Sequence, residues 1–144
     1  MKIKKAQEKD LEKIAKVFKQ EFRKPPYDEY WTEETALKRI KEYFNKSTIF
    51  FVEEEKDIIG FIIFNIYTWF DGKKANIQEF AISADHQGKG IGKSLYQYLE
   101  SYLKKQDVKS IELMSEKKSK AFNIYNLWGY KLDKDFVYLS KKLN

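Results

Sequence analysis

Apolar residues recur at two different spacings along this chain, and the switches between them predict its elements. Leu11, Ile14, Ala15, Phe18 and Phe22 fall at helical spacing and predict a first helix that stops before Pro25-Pro26. Ala36, Leu37, Ile40 and Phe44 predict a second helix. Thr32 is its expected N-cap, with Glu33 and Glu34 near the positive helix end. Ile91, Leu95, Tyr98, Leu99, Tyr102 and Leu103 predict a third, and Ala121, Ile124, Tyr125 and Trp128 a fourth that Gly129 closes. Residues 1–6, 48–54, 58–70, 108–114 and 136–140 read as strands. Asp71-Gly72 is a two-residue hairpin signal, pairing Phe70 with Lys73 and leading into a strand that ends at Ile82. An unbulged ladder then sets Phe64 opposite Glu79 and Phe61 opposite Ile82. Alternation places Ile77, Glu79 and Ala81 on one face, and Gln78, Phe80 and Ile82 on the other.

The expected order is strand, helix, helix, three strands, helix, strand, helix, strand. A meander combined with helical crossovers predicts a mixed α/β (α+β) class, with a mostly antiparallel central sheet covered by helices on both faces. Length and the absence of a linker predict one domain over residues 1–144.

Composition narrows the chemistry. There is no cysteine, which excludes thiol catalysis, disulfides and cysteine metal sites, and the only histidine is His86, so no metal site is expected. The longest apolar run, Ile58 to Phe64, is far short of a membrane span, and the N-terminus lacks a signal-peptide core. A cytoplasmic protein without a membrane partner is expected. Net charge is +6, but lysine and glutamate are interleaved, which argues for a solvated surface and against a nucleic-acid partner. The aromatic content of 17% exceeds what a core usually takes, so some rings are expected to line a cleft or partner surface.

The most informative segment is Gln87-Gly88-Lys89-Gly90-Ile91-Gly92-Lys93-Ser94, between the strand ending at Ile82 and the third helix. Three glycines let the backbone approach a ligand closely. The first N–H groups of the following helix are unpaired and carry partial positive charge, so the segment can cradle a phosphate. A P-loop would require glycine at position 87, which is Gln, and a dinucleotide fingerprint would require glycine at 93, which is Lys. The alternative is a strand-to-helix turn with no ligand. Two lysines and no carboxylate between 87 and 94 suit an anion.

What fits is Gln/Arg-x-x-Gly-x-Gly/Ala, which resembles the pyrophosphate loop of acetyl-coenzyme A in the GNAT superfamily of N-acetyltransferases. Two further segments carry the resemblance: Ile77 to Ile82 before the loop, and Ala121 to Tyr130, similar to the family's late Ala-x-x-x-Tyr-x-x-x-Gly-Phe/Tyr helix. The resemblance covers nearly the whole chain and implies the family's fold, with acetyl-CoA as cosubstrate. Phe80, Ala81, Ile82 and the loop residues 87–94 would hold the coenzyme. Residues 58 to 92 look most like the diamine and polyamine acetyltransferases. The segment 27–36 resembles aminoglycoside-type and protein N-terminal acetyltransferases. Family members often carry Asn three residues before the helix alanine, where this chain has Lys118.

The implied reaction is acetyl transfer to a primary amine, on a small molecule or a peptide, by direct attack. The alternative is a noncatalytic acyl-CoA-binding module. The resemblance puts the Tyr125 hydroxyl near the coenzyme sulfur, as an acid, and a backbone N–H near Ile82 at the thioester oxygen. Glu79 is the candidate base, through water, because a carboxylate within an apolar strand is costly unless paired or functional. A lysine pair at a sheet edge would also explain it. The family's strand carries a bulge here, so either Glu79 or Gln78 could face the acceptor. Tyr27, Trp31, Tyr67 and Trp69 are candidates to wall the acceptor site, or else ordinary packing residues. A homodimer stays open.

Overall fold

The structure is a computed structural model that describes all 144 residues. The chain divides into two compact units, Met1–Met114 and Ser115–Asn144.

The first unit contains strands β1 (Lys2–Lys5), β2 (Thr48–Glu54), β3 (Asp57–Trp69), β4 (Gly72–Ile82) and β5 (Val108–Leu113), with helices α1 (Leu11–Phe22), α2 (Glu33–Lys46) and α3 (Ile91–Lys105). The sheet order is β1-β2-β3-β4-β5. Pairing is antiparallel throughout except for β4 with β5, where α3 supplies the crossover a parallel pair needs. This is the mixed, mostly antiparallel α/β sheet expected from the pattern.

One face of the sheet packs against α1 and α2. Leu11, Ile14 and Phe18 from α1 and Ala36 and Ile40 from α2 share a buried cluster with Phe61 and Ile63 of β3. On the other face the Phe50 ring lies 5.1 Å from Tyr98 and 5.2 Å from Tyr102 of α3. Because β3 is covered on both faces, residues 58–64 are all buried, which explains their unbroken apolar run. Truncating a ring such as Phe61 to Ala would cost about 3–5 kcal/mol. Helix α2 starts at the expected cap: the Thr32 hydroxyl accepts from the Thr35 N–H at 3.0 Å.

The hairpin differs from its expected form. Trp69 pairs with Gly72, so Phe70 and Asp71 form the turn. Neither of these two residues takes a positive φ, so the primed turn that Asp71-Gly72 signals does not form. Gly72 instead enters β4 at φ +133°, which only glycine adopts without strain. Further along, a bulge falls between two successive pairs, Phe64 with Ile77 and Ile63 with Glu79, leaving Gln78 as the extra residue. Phe61 is therefore opposite Ala81, and Ile82 opposite Gly60. The bulge also separates Ile77 from Glu79. Ile77 shares the α3 face with its partner Phe64, whereas Glu79 shares the α1–α2 face with Ile63.

The second unit holds α4 (Lys120–Leu127). The Ser119 hydroxyl caps its start by accepting from the Phe122 N–H at 3.2 Å. Its end is a Schellman closure: Gly129, at φ +92°, donates to the Asn126 carbonyl, and Tyr130 donates to the Tyr125 carbonyl. The strand expected over 136–140 is absent. Residues 130–144 form no regular element, and Phe136, Val137, Tyr138 and Leu139 are exposed. An apolar run becomes a strand only with a ladder to join, and this segment makes no ladder bonds.

Candidate active site

The glycine loop leaves β4 through a short 3-10 turn at Ala84–His86 and enters α3 at Gly90. Gly88 and Gly90 sit at φ +77° and +81°, and a Cβ at either would meet nothing within 4 Å. Their side of the loop is therefore open, and the requirement for glycine is conformational. Gly92 is different: a Cβ there would touch Ile82 Cγ1 at 3.4 Å, so this glycine keeps α3 close against β4. No side chain caps α3, which leaves its first N–H groups for an outside acceptor. Lys89 and Lys93 are exposed beside them, and Ile91 is buried under the helix start. Ser94 continues the helix, donating its N–H to the Gly90 carbonyl at 3.0 Å. The result is an open loop with uncapped N–H groups and two lysines, a form suited to an anion.

Gln87 braces the loop. Its Nε2 donates to the Ile82 carbonyl at 2.8 Å and, more weakly, to Glu21 Oε1 of α1 at 3.4 Å. The Ala84 N–H donates to the other Glu21 oxygen at 3.2 Å. Glu21 was not evident from the sequence, where it reads as one more charge on an amphipathic helix.

The strand ahead of the loop has one uncovered edge. β5 pairs with β4 only as far as Ile77 with Leu113. The Ser83 N–H donates toward β3, to the Ile59 carbonyl. Strand alternation therefore turns the Ile82 N–H and C=O to the side that β5 no longer covers. The Gln87 bond to the Ile82 carbonyl on that side agrees with this.

Glu79 lies on the α1–α2 face, where the Tyr43 hydroxyl of α2 donates to Oε2 at 2.8 Å. No lysine pairs with it, so its partner is a tyrosine and not the edge ion pair considered above. Burial pushes its carboxyl up to about 7; the Tyr43 hydrogen bond pulls it down, Glu29 pushes it up and Arg39 pulls it down. A carboxylate at that value gains and loses a proton near neutrality. The bulged Gln78 is held elsewhere, its Oε1 accepting from the Ser47 hydroxyl at 2.5 Å. Tyr43 was missed in the sequence. The available signal was its place one turn after Ile40 on a buried stripe, since a buried tyrosine hydroxyl needs a partner.

Asn65, Tyr67 and Trp69 follow Ile63 at every second position of β3 and so share the Glu79 face. The Tyr67 hydroxyl donates to Glu112 of β5. Tyr27 and Trp31 pack instead on α1, with ring centroids 4.9 Å from Phe22 and from Phe18 respectively. Phe80 is opposite Ile62 and Ala81 opposite Phe61. His86 is half-buried, with Nε2 3.6 Å from Glu54. In the second unit Tyr125 is nearly buried, its ring 5.4 Å from Tyr130 and 6.0 Å from Trp128. Lys118 is exposed just ahead of α4. No group of three or more His, Asp or Glu residues is arranged to hold a metal ion, and no helix is long and apolar enough to cross a membrane.

The fold has close counterparts. An integron cassette protein from the mobile metagenome of V. cholerae superposes with a TM-score of 0.81 at 17% identity, over 99% of this chain and 93% of that one. A ribosomal-protein-alanine N-acetyltransferase from Brucella melitensis biovar Abortus 2308 gives 0.78 at 16% identity, over 99% and 100%. An aminoglycoside acetyltransferase from an uncultured soil metagenomic sample gives 0.75 at 19% identity, over 99% and 96%. At these identities the likeness is one of fold. No curated protein sequence matches the chain. Residues 11–129, however, match the family model described as Acetyltransferase (GNAT) family, and this span includes both the glycine loop and α4. The chain therefore belongs to the GNAT acetyltransferase family, whose members use acetyl-CoA as cosubstrate.

Proposed function

We propose that the protein transfers the acetyl group of acetyl-CoA to a primary amine, carried by a small molecule or a peptide, and that residues 1–144 act as a single functional domain. The observation that carries this reading is Glu79. A carboxylate titrating near 7 lies on β4, eight residues before an open glycine cradle that starts at Gln87. Such a group suits proton transfer, a step that a noncatalytic coenzyme carrier does not perform.

In the proposed reaction the loop residues 87–94 hold the pyrophosphate, and Phe80, Ala81 and Ile82 line the coenzyme's path. The open edge of β4 supports the Ile82 N–H as donor to the thioester oxygen, where negative charge develops. The amine, with an ordinary pKa of ~10, arrives mostly protonated. Glu79 takes that proton through water, which frees the nitrogen lone pair. Nitrogen attacks the carbonyl carbon, the C–N bond forms, and the C–S bond breaks as nitrogen sheds its second proton to water. Tyr125 is assigned as the acid that protonates the departing thiolate, on the strength of its place in the α4 motif, and it regains its proton from solvent. Tyr67 and Trp69 share the Glu79 face and are assigned to the acceptor side; Gln78, held by Ser47, is assigned there only as the neighbour of Glu79 in the chain. Tyr27 and Trp31 would reach the acceptor only by their exposed edges.

The two similar acetyltransferases suggest acceptors to test. Coenzyme A release should be followed with a diamine, an aminoglycoside and a peptide bearing N-terminal alanine. Turnover above the hydrolysis background with any of them supports the transferase. Tight acetyl-CoA binding with no turnover across a broad amine panel would leave the noncatalytic carrier.

A further inference from the structure

Glu79 does not meet Tyr43 alone. Arg39, one turn earlier on α2, donates from Nη2 to the Tyr43 hydroxyl oxygen at 3.0 Å. Its guanidinium also lies over the Tyr43 ring, 4.1 Å from the centroid. The far side of Arg39 is 3.4 Å from Glu42. These contacts form a chain whose direction is fixed by chemistry. Arginine has donors and no acceptor. The Tyr43 oxygen must therefore accept from Arg39, and its single proton must point to Glu79 Oε2, 2.8 Å away. While Glu79 is ionised it has no proton to give, so within this pair the hydroxyl is the donor.

We propose that Tyr43, oriented by Arg39, is a positioning residue for the base: it occupies Oε2 of Glu79 and leaves Oε1 as the oxygen that takes the acceptor's proton. This rests on the reading of Glu79 as the base. The step balances simply. The N–H bond of the ammonium group breaks, an O–H bond forms on Oε1 by way of water, and Glu79 returns that proton to solvent after transfer. Tyr43 keeps its own proton throughout. Burial and then the Glu79 carboxylate raise its hydroxyl well above the ordinary 10, so it stays protonated and lends Glu79 a hydrogen bond without giving up the proton.

The arrangement also sets the working range of the base. Burial alone favours the protonated, idle form of Glu79. Glu29 adds to that, while the Tyr43 hydrogen bond and the Arg39 charge oppose it. The carboxyl is thereby kept near neutrality and not above it.

The test is a carboxyl 13C NMR titration of Glu79 in the full chain, with E79Q used to assign the resonance, beside the pH dependence of kcat/KM. The amine is the one from the panel above with the highest turnover. Y43F keeps the packed ring and removes only the hydroxyl. Its Glu79 midpoint should rise by about one pH unit, with kcat/KM falling about tenfold below pH 7 and recovering as pH rises. R39M should move the midpoint the same way while Tyr43 is present, and by less in the Y43F background, because part of its effect passes through the hydroxyl. It keeps the question open to test if Y43F is poorly folded. An unmoved midpoint in folded Y43F would overturn the proposal and leave the base in place. A parent-like pH–rate profile in E79Q would instead remove the base itself, whatever Tyr43 does.

Discussion

The side-chain amide of Gln87 donates to the Ile82 carbonyl at 2.8 Å, tying the start of the glycine loop to the end of the strand before it. The same carbonyl lies on the edge of β4 that β5 leaves uncovered. One neutral hydrogen bond thus links the proposed pyrophosphate cradle to the proposed oxyanion donor. Replacing Gln87 with Leu removes the tie, along with the weaker bond to Glu21, and leaves the three loop glycines unchanged. A bond of this kind is worth about 1 kcal/mol net, or roughly fivefold in affinity. Calorimetry should show acetyl-CoA binding weakened by about that factor. Unchanged affinity would make the tie irrelevant to the cradle.

Gly90 tests the cradle directly. At φ +81° it precedes the first turn of α3, with open space where a Cβ would go. Valine fits that space and not that backbone angle, at a cost of roughly 1–3 kcal/mol in strain. The loop should relax away from its cradle geometry, and the new side chain would stand where the phosphate approaches. Gly90→Val should lower acetyl-CoA affinity by at least about tenfold, read by calorimetry. Retained affinity would place the coenzyme elsewhere.

How much of this was legible in the sequence depends on how local each feature is. Helices α1 to α3 were readable because their stripes repeat every turn. Thr32 and Gly129 were readable because caps are set by a few adjacent residues. The bulge at Gln78 was not, because it depends on how β4 registers against β3, and the hairpin turn had already been placed one residue late. The segment 136–140 has the right composition for a strand, but composition cannot supply a partner. The Tyr43–Glu79 bond joins residues 36 apart in sequence, and nothing in either neighbourhood names the other. A costly carboxylate in an apolar strand could be flagged from sequence; what sustains it could not.

Tyr125 offers a separable test. Tyr125→Phe keeps the ring that packs on Trp128 and Tyr130, and removes only the hydroxyl assigned to protonate the thiolate. Turnover should fall by about 10²-fold, the lower end of what general acid catalysis contributes, with acetyl-CoA affinity nearly unchanged. The measurement is steady-state kinetics beside direct coenzyme binding. A variant with full turnover would leave Tyr125 as a packing residue.

For Glu79 the activity and the pH should move together. The base works only when deprotonated, so in the parent kcat/KM should fall as pH drops through about 7. Glu79→Gln should lack that limb. Its deficit should be largest near neutral pH, where the amine is most protonated, and should shrink toward the amine's own pKa of ~10. Parent-like rates at every pH would end the base assignment and leave the acetyltransferase family assignment standing.

The same substitution should act on stability in the opposite direction. The folded-state pKa of Glu79 is raised from 4.5 to about 7, chiefly by burial. Between those values the native protein binds a proton that the unfolded chain has lost. Stability therefore falls as pH rises from 4.5, and the loss is complete above about 7. Glutamine has no charge to bury and escapes the loss. At about 1.4 kcal/mol per pH unit, discounted because the side chain is partly exposed, the effect is on the order of 2 kcal/mol. Relative to the parent, Glu79→Gln should thus gain roughly 2 kcal/mol of stability on going from pH 4.5 to 8, read by urea denaturation at both values. A residue retained only for structure would show the reverse, with the native carboxylate the more stable form. An equal stability difference at the two pH values would mean that the Glu79 carboxylate carries no such burden. A carboxylate that destabilises the fold where the enzyme is active is what a base selected for catalysis predicts.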